Sequence, residues 1–244
     1  AVDRAGRLRA ERSSAAAIEA MATGAAHDLN NPLAVISGRA QLMRDRADDA
    51  RQREVWSLIA EQAHRASDVI TELMNYASPP AAHPEAVDPV ATLREAQESL
   101  AATNDPQATA LAVDIHSDAM ACGVRADRSQ LREVFAELLA NAAAAGASTV
   151  LLSAAPDAAR EVVELRLSDD GSGMDAATLA RALTPFFSAR AAGRRLGMGL
   201  ARVRRYVEHN GGRIRLESRP GEGTTAYIRL PAAAGDEPTE RPDE

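Results

Sequence analysis

HDLNNPLAVISGRAQLM, residues 27–43, decides how this chain begins to fold. Its apolar positions Leu29, Leu33, Ile36, Ala40 and Met43 recur by threes and fours, and Ile18, Ala22 and Ala25 extend them backwards into one helical stripe. The stripe predicts a helix from about residue 5 to residue 46. A polar break, RADDARQ, leads to a second stripe of Val55, Ile59, Gln62, Ala66, Val69, Leu73 and Tyr76, which SPPAAHPE ends with three prolines. Two long antiparallel helices joined by a short turn form a hairpin. Stripes of this length point to pairing with a second copy in a dimeric four-helix bundle; packing of the hairpin on the rest of the chain is the alternative.

Composition narrows the function classes. The chain has 244 residues, 45% of them hydrophobic, enough for one or two domains. With only 3 Phe, 3 Tyr and 1 Trp, the core must rest on Leu, Val, Ile and Ala. The net charge of −7 argues against a nucleic-acid partner, and most of it comes from the C-terminal PAAAGDEPTERPDE. A single cysteine, Cys122, excludes an internal disulfide framework and reads as a small buried apolar residue. No run approaches the 18 or so apolar residues of a membrane span. The chain opens in charged helical sequence without an initiator Met, as an excised fragment of a longer parent would.

Beyond the prolines the period changes. DPVATLREAQESL and SQLREVFAELLANAAAA read as helices, whereas ALAVDI, TVLLSA, EVVELRLS, RIRLES and TAYIRL read as strands. Helices and strands mix without regular alternation, which predicts an α+β sandwich with one mixed sheet covered by helices on one face. The expected organisation is a helical hairpin over 1–78, a linker over 79–87, a sandwich domain over 88–231 and a disordered acidic tail over 232–244.

The polar residues of the opening stretch have a chemical logic of their own. His27 lies two residues, about 200°, from Leu29 of the buried stripe, so its imidazole is expected to face solvent. Asn31, four residues on, shares that face. Asp28 can hold one imidazole nitrogen and leave the other with a free lone pair, and at a pKa near 6.5 most such imidazole is neutral and nucleophilic at pH 7. Pro32 lacks an N–H, frees the carbonyl of Asp28 and is expected to bend the helix beside the nucleophile. In the second domain, three glycine-bearing segments follow one another. SDDGSGM leaves a strand with Asp169, Gly171 and Gly173, LGMGLARVRRYVEHNGG sets Gly197 and Gly199 before a helix whose N-terminus suits a phosphate, and PGEGTT precedes the last strand.

Taken together these segments resemble the sensor histidine kinases of two-component signalling, over residues 15–231 and with every box in order. HDLNNPL is similar to the H box, ELLANAAAA to the N box, DDGSG to the first glycine box, TPFFSAR to the F box, GMGLA to the second glycine box and GEGTT to the third. The resemblance implies a dimerising phosphotransfer hairpin and a Bergerat-type ATP-binding sandwich. It implies autophosphorylation of His27 by ATP and Mg2+, transfer to an aspartate on a response-regulator receiver domain, and a phosphatase activity toward that regulator oriented by Asn31. Catalytic roles fall on His27, Asp28 and Asn31. Asn141 and Glu137 would serve the metal, Asp169 the adenine amino group with Gly171 and Gly173 giving clearance, and Thr224 would lie near the adenine. Residues 175–196 would form a mobile lid, packed by Phe186 and Phe187, with Arg190 meeting phosphate, Gly197 and Gly199 hinging it and offering backbone donors, and Leu200 among the nucleotide-binding residues. The implied setting is cytoplasmic, as a homodimer, with no membrane contact by this fragment even where the parent is membrane-anchored. The chain departs from the pattern at Arg195 or its neighbour, where the second box has its first glycine, and at Ala144 and Ala145, where many members carry a basic residue and an aromatic. A degenerate scaffold that binds ATP, or nothing, and regulates a partner without phosphorylating histidine is the alternative.

Overall fold

The structure is a computed structural model that describes residues 28–77, 79–103, 106–157, 159, 161–188 and 197–233. Contacts divide the chain into two compact units, one ending at Pro80 and the other beginning at Ala81.

The first unit is the hairpin. Helix α1 is described over 28–46 and runs through Pro32 without a break, and α2 spans Ala50–Ala77. The expected start of α1, residues 5–27, lies outside the described residues. A turn of only three residues joins the helices; Asp49 Oδ1 accepts the N–H of Arg51 and so caps α2. Ser37 and Ala40 on α1 and Ala60 and Ala63 on α2 are buried, and Ser67 Oγ donates to Asn30 Oδ1 across the pair at 2.9 Å. These positions run in opposite directions along the two helices, as an antiparallel hairpin requires. The apolar stripes, however, do not close on each other within one chain. Leu29, Ile36, Met43, Val55 and Leu73 are all more than 40% exposed, because two helices in contact through small residues cannot also cover the large ones.

The second unit is a mixed five-stranded sheet in the order β2-β4-β5-β7-β6. Strand β2 (Ala112–Ile115) runs parallel to β4 (Thr149–Asp157); β5 (Val162–Asp169), β7 (Thr224–Pro231) and β6 (Arg213–Ser218) continue antiparallel. Alternation sorts the faces. Val163, Leu165 and Leu167 of β5 and Ala226, Ile228 and Leu230 of β7 point inward and are buried, with Leu165 opposite Ile228. Against them pack Leu93 and Ala96 of α3 (Pro89–Ala101), Leu131, Val134, Phe135 and Leu139 of α5 (Arg128–Ala144), and Val203 and Val207 of α7 (Gly199–His209). At about 1.5–3 kcal/mol for each large apolar side chain removed from water, this one-sided core drives the fold of the unit. The other face carries Glu164 between Arg166 and Arg229, and Tyr227 beneath Arg215 at 4.0 Å. Short helices α4 (Pro106–Thr109) and α6 (Ala176–Arg181) complete the unit.

Two expected boundaries move. Residues 85–87, placed in the linker by their prolines, form β1 (Glu85–Val87), which pairs antiparallel with β3 (Val124–Ala126) and buries Val87. Residues 232 and 233, placed in the acidic tail, are held by the backbone: Ala232 N–H donates to Glu161 O and Ala233 N–H to Gly123 O. The remainder of the tail, 234–244, lies outside the described residues. Among the described residues no helix is long and apolar enough to cross a membrane.

Asp127 ties β3, α5 and the segment after the prolines together. Its Oδ1 accepts Gln130 N–H and Ser129 Oγ–H as the N-cap of α5, its Oδ2 accepts His83 N–H at 2.9 Å, and its own N–H donates to Asn210 Oδ1. Burial raises the Asp127 carboxyl, but the hydrogen bonds from Ser129, His83 and Gln130 outweigh it and hold the group below its ordinary value. Asp127→Ala is therefore expected to lower the stability of this unit by about 2–3 kcal/mol at pH 7, measured by urea unfolding. A lowered folded-state pKa gives stability that is complete above the ordinary value of about 3.9 and lost as pH falls through the lower folded value. The gap between parent and variant should narrow in acid.

Candidate functional site

In the second unit the site is organised by one face of α5. Glu137, Asn141 and Ala145 stand at intervals of four, a line about 12 Å long on one side of the helix. Its two ends touch different glycine-bearing segments. At the Glu137 end, a Cβ on Gly199 would run into the Glu137 carboxylate, so the start of α7 lies directly against it. At the other end, Ala145 caps α5, its carbonyl accepts Ser172 N–H at 3.0 Å, and a Cβ on Gly171 would lie 2.9 Å from the Ala145 side chain. The floor between the loop after β5 and the start of α7 is therefore this helix face.

Asp169, the last residue of β5, holds the loop at the Ala145 end. Its Oδ1 accepts Gly171 N–H at 3.0 Å and Thr224 N–H at 3.2 Å. Gly173 and Gly223 both have positive φ, and a Cβ at Gly223 would strike the backbone of Asp169 while one at Gly173 would strike the backbone of Arg219. Only glycine allows strands β5 and β7 to end this close together. Ser218 fastens the same corner: its Oγ donates to Gly223 O at 2.7 Å and receives Met174 N–H at 2.8 Å. Thr224 Oγ1 lies 3.0 Å from Ser218 Oγ. Burial pushes the Asp169 carboxyl up, against the two backbone hydrogen bonds that favour its charged form.

The segment between β5 and α7 divides. Residues 175–188 are ordered by α6, capped by Asp175, whose Oδ1 accepts Thr178 N–H. Phe187 is half-buried with Arg181 over its ring at 4.3 Å, whereas Phe186, expected to pack the lid with it, is 58% exposed at φ 61°. A Cβ on Gly197 (φ 71°) would come within 2.5 Å of the Phe187 carbonyl oxygen, so the two ends of the segment meet backbone to backbone. Arg190, with 189–196, lies outside the described residues. Leu200 is partly buried in the first turn of α7.

Glu137 has a partner that the sequence did not announce. Arg202 Nη2 donates to its Oε1, with each side chain 20% exposed. The signal available beforehand was the place of Arg202 in the first turn of a helix, where the dipole disfavours a cation unless an anion faces it. For a magnesium ion the donors fit a particular mode. Among the described residues no three His, Cys, Asp or Glu side chains gather into a metal cage. Asn141 presents an amide on the site face, and one or two such oxygens suffice for Mg2+ that shares its shell with phosphate and water.

In the hairpin unit, Asp28 and Asn31 are exposed, as expected of the face opposite the contact with α2, and Asn30 between them is turned to Ser67. His27 lies just outside the described residues.

One known family matches within each unit. The family "His Kinase A (phospho-acceptor) domain" matches residues 17–81, and "Histidine kinase-, DNA gyrase B-, and HSP90-like ATPase" matches residues 126–234. The sensor histidine kinase ZraS of Klebsiella oxytoca is 30% identical over 224 residues, covering 91% of this chain and 48% of that protein. The sensor protein FixL of Bradyrhizobium diazoefficiens is 32% identical over 232 residues, covering 91% of this chain and 45% of that protein. The chain thus spans about half the length of these relatives. Among solved structures, full-length ShkA in complex with AMPPNP has the same fold, with a TM-score of 0.71 at 23% identity over 88% of this chain and 46% of that one.

A raised folded-state pKa means that Asp169 supports stability fully below its ordinary pKa and loses that support as pH rises through the raised value. Asp169→Asn keeps an oxygen for Gly171 and Thr224 without the charge. Its melting temperature at pH 7 should equal or exceed the parent's, while its affinity for an adenine nucleotide, measured by calorimetry, should fall at least about tenfold.

Proposed function

The chain belongs to the sensor histidine kinases of two-component signalling, and from that premise we propose that it is an ATP-dependent protein histidine kinase that phosphorylates its own His27 and passes the phosphoryl group to an aspartate of a response-regulator receiver domain. The observation that carries this is the α5 face of Glu137, Asn141 and Ala145, bounded at one end by the phosphate-suited start of α7 and at the other by Asp169. Asp169 is the hydrogen-bond acceptor for an adenine amino group, with the glycines around it leaving room for the ring. The N–H groups at the start of α7 receive the phosphates. Asn141 would hold Mg2+, which when bound offsets the negative charge of the phosphates.

In the hairpin, His27 Nε2 attacks the γ-phosphorus; the N–P bond forms, the bond from phosphorus to the bridging β,γ-oxygen breaks, and ADP leaves. Asp28 holds the other imidazole nitrogen and stabilises the positive charge that develops on the ring. Asn31, on the same exposed face, orients the water that hydrolyses the regulator's acyl phosphate. The working form is a homodimer, supported by the row of large apolar side chains that one hairpin leaves uncovered. Its setting is cytoplasmic, where ATP and receiver domains are found.

Incubation with γ-labelled ATP and Mg2+ should give acid-labile, base-stable label on the parent and none on His27→Ala. Complete absence of such label from a folded, nucleotide-binding parent would favour a regulatory scaffold instead. Asn31→Ala should lose at least about tenfold in dephosphorylation of a phosphorylated receiver while keeping autophosphorylation within about threefold. Equal loss of both would end the division of labour along this face. Ile36→Glu, which places a charge on the uncovered stripe, should turn a dimer into a monomer by light scattering while leaving the helical circular dichroism in place.

A further inference from the structure

Arg202 has no part in the chemistry above, and the setting of its ion pair with Glu137 is unusual for a purely structural contact. Both side chains are four-fifths buried. Arg202 Nε is buried without a hydrogen-bond partner among the described residues, so the guanidinium is only partly satisfied. A buried pair with an unmet donor returns little net stability, and an apolar pair would serve the packing as well or better. Arg202 also stands at the positive end of α7, the least favourable end of a helix for a cation. What the pair does achieve is to fix the Glu137 carboxylate: Oε1 is taken by Arg202, and the group abuts Gly199 at the start of α7.

A carboxylate one turn before Asn141 on the site face is placed to act on water. Left to itself it could accept a proton from a water whose oxygen bonds to the γ-phosphorus. The bond from that phosphorus to the bridging oxygen would break, ADP would leave, and the proton would pass from the carboxylate to solvent with release of orthophosphate. Such a base needs a lone pair aimed at the water at about 2.6–3.2 Å. Arg202 commits one of the two oxygens, Oε1, and with it the orientation of the carboxylate. We propose that Arg202 is a positioning residue that withholds Glu137 from water, so that bound ATP keeps its γ-phosphoryl group for the histidine. This rests on the nucleotide site described above.

The test uses the full chain in a His27→Ala background, so that phosphohistidine turnover contributes nothing. Orthophosphate release from Mg·ATP and the Kd of trinitrophenyl-ATP are measured side by side. Arg202→Met should release phosphate at least about tenfold faster with Kd within about threefold of the parent. Arg202→Lys, which keeps the cation, should stay near the parent rate, and adding Glu137→Gln to Arg202→Met should abolish the gain. The proposal is overturned if Arg202→Met binds the analogue normally but hydrolyses ATP no faster, if the gain survives Glu137→Gln, or if the chief effect is a tenfold loss of nucleotide affinity, which would make Arg202 an ordinary phosphate ligand. Should Arg202→Met melt below the assay temperature, Arg202→Gln is judged by the same criteria. A parent that fails to bind trinitrophenyl-ATP would instead overturn the nucleotide site itself, an outcome distinct from the failure of Arg202 to restrain Glu137.

Discussion

Everything in the sandwich depends on α5 being packed on two sides at once. One side delivers Leu131, Val134, Phe135 and Leu139 to the sheet, where burial of each is worth about 1.5–3 kcal/mol. The edge beside it carries Glu137, Asn141 and Ala145 to the site. Because both sets hang on one rigid helix, the apolar core that stabilises the unit also sets the spacing of the functional groups. The small residues at the C-terminal end of α5 belong to the same constraint. Ala142 and Ala143 are buried where the helix ends, and Ala145 admits Gly171 at close range. A bulky side chain at 145 would push the loop after β5 away from the helix.

The sequence made the sandwich legible wherever a pattern repeats. Val163, Leu165 and Leu167 alternate with polar neighbours, and the structure buries those three and sets them against β4 and β7. Asp169 and the glycines at 171, 173 and 223 were also legible, since an acid and glycines at a strand end announce a close backbone approach. Strands β1 and β3 were not. Each has three residues, too few for a period, and their pairing depends on Asp127 receiving the His83 N–H across 44 positions of sequence. The contact of Arg202 with Glu137 is hidden for the same reason: it joins residues 65 apart on two helices, and neither helix shows it in its own pattern.

The hairpin was legible in kind and misjudged in detail. Three-four spacing gave two helices and a short turn, but it could not say which neighbour the stripe would meet. Within one chain, α1 and α2 touch through Ser37, Ala40, Ala60 and Ala63, which let the helices approach closely. Leu29, Ile36, Met43 and Val55 are left for another surface. A helix pair whose internal contact is made by small side chains buries little apolar area, so the association that covers the large ones supplies the greater share of its stability.

These constraints pull against one another at the site, and their balance explains its composition. Asp169 is partly buried, which disfavours its charged form and costs the fold; in the reading proposed above, that cost goes with an acceptor kept away from competing water. Its two backbone hydrogen bonds limit that cost without neutralising the charge. At the opposite end of α5 the requirement is reversed: a carboxylate is present but its reach is restrained by a cation on the neighbouring helix. One acid is kept available and the other is held in check, on either end of the same helix face. In the kinase reading proposed above, keeping a phosphoanhydride intact until the histidine is in place calls for both conditions together, since binding ATP tightly without restraining water would only hasten its loss.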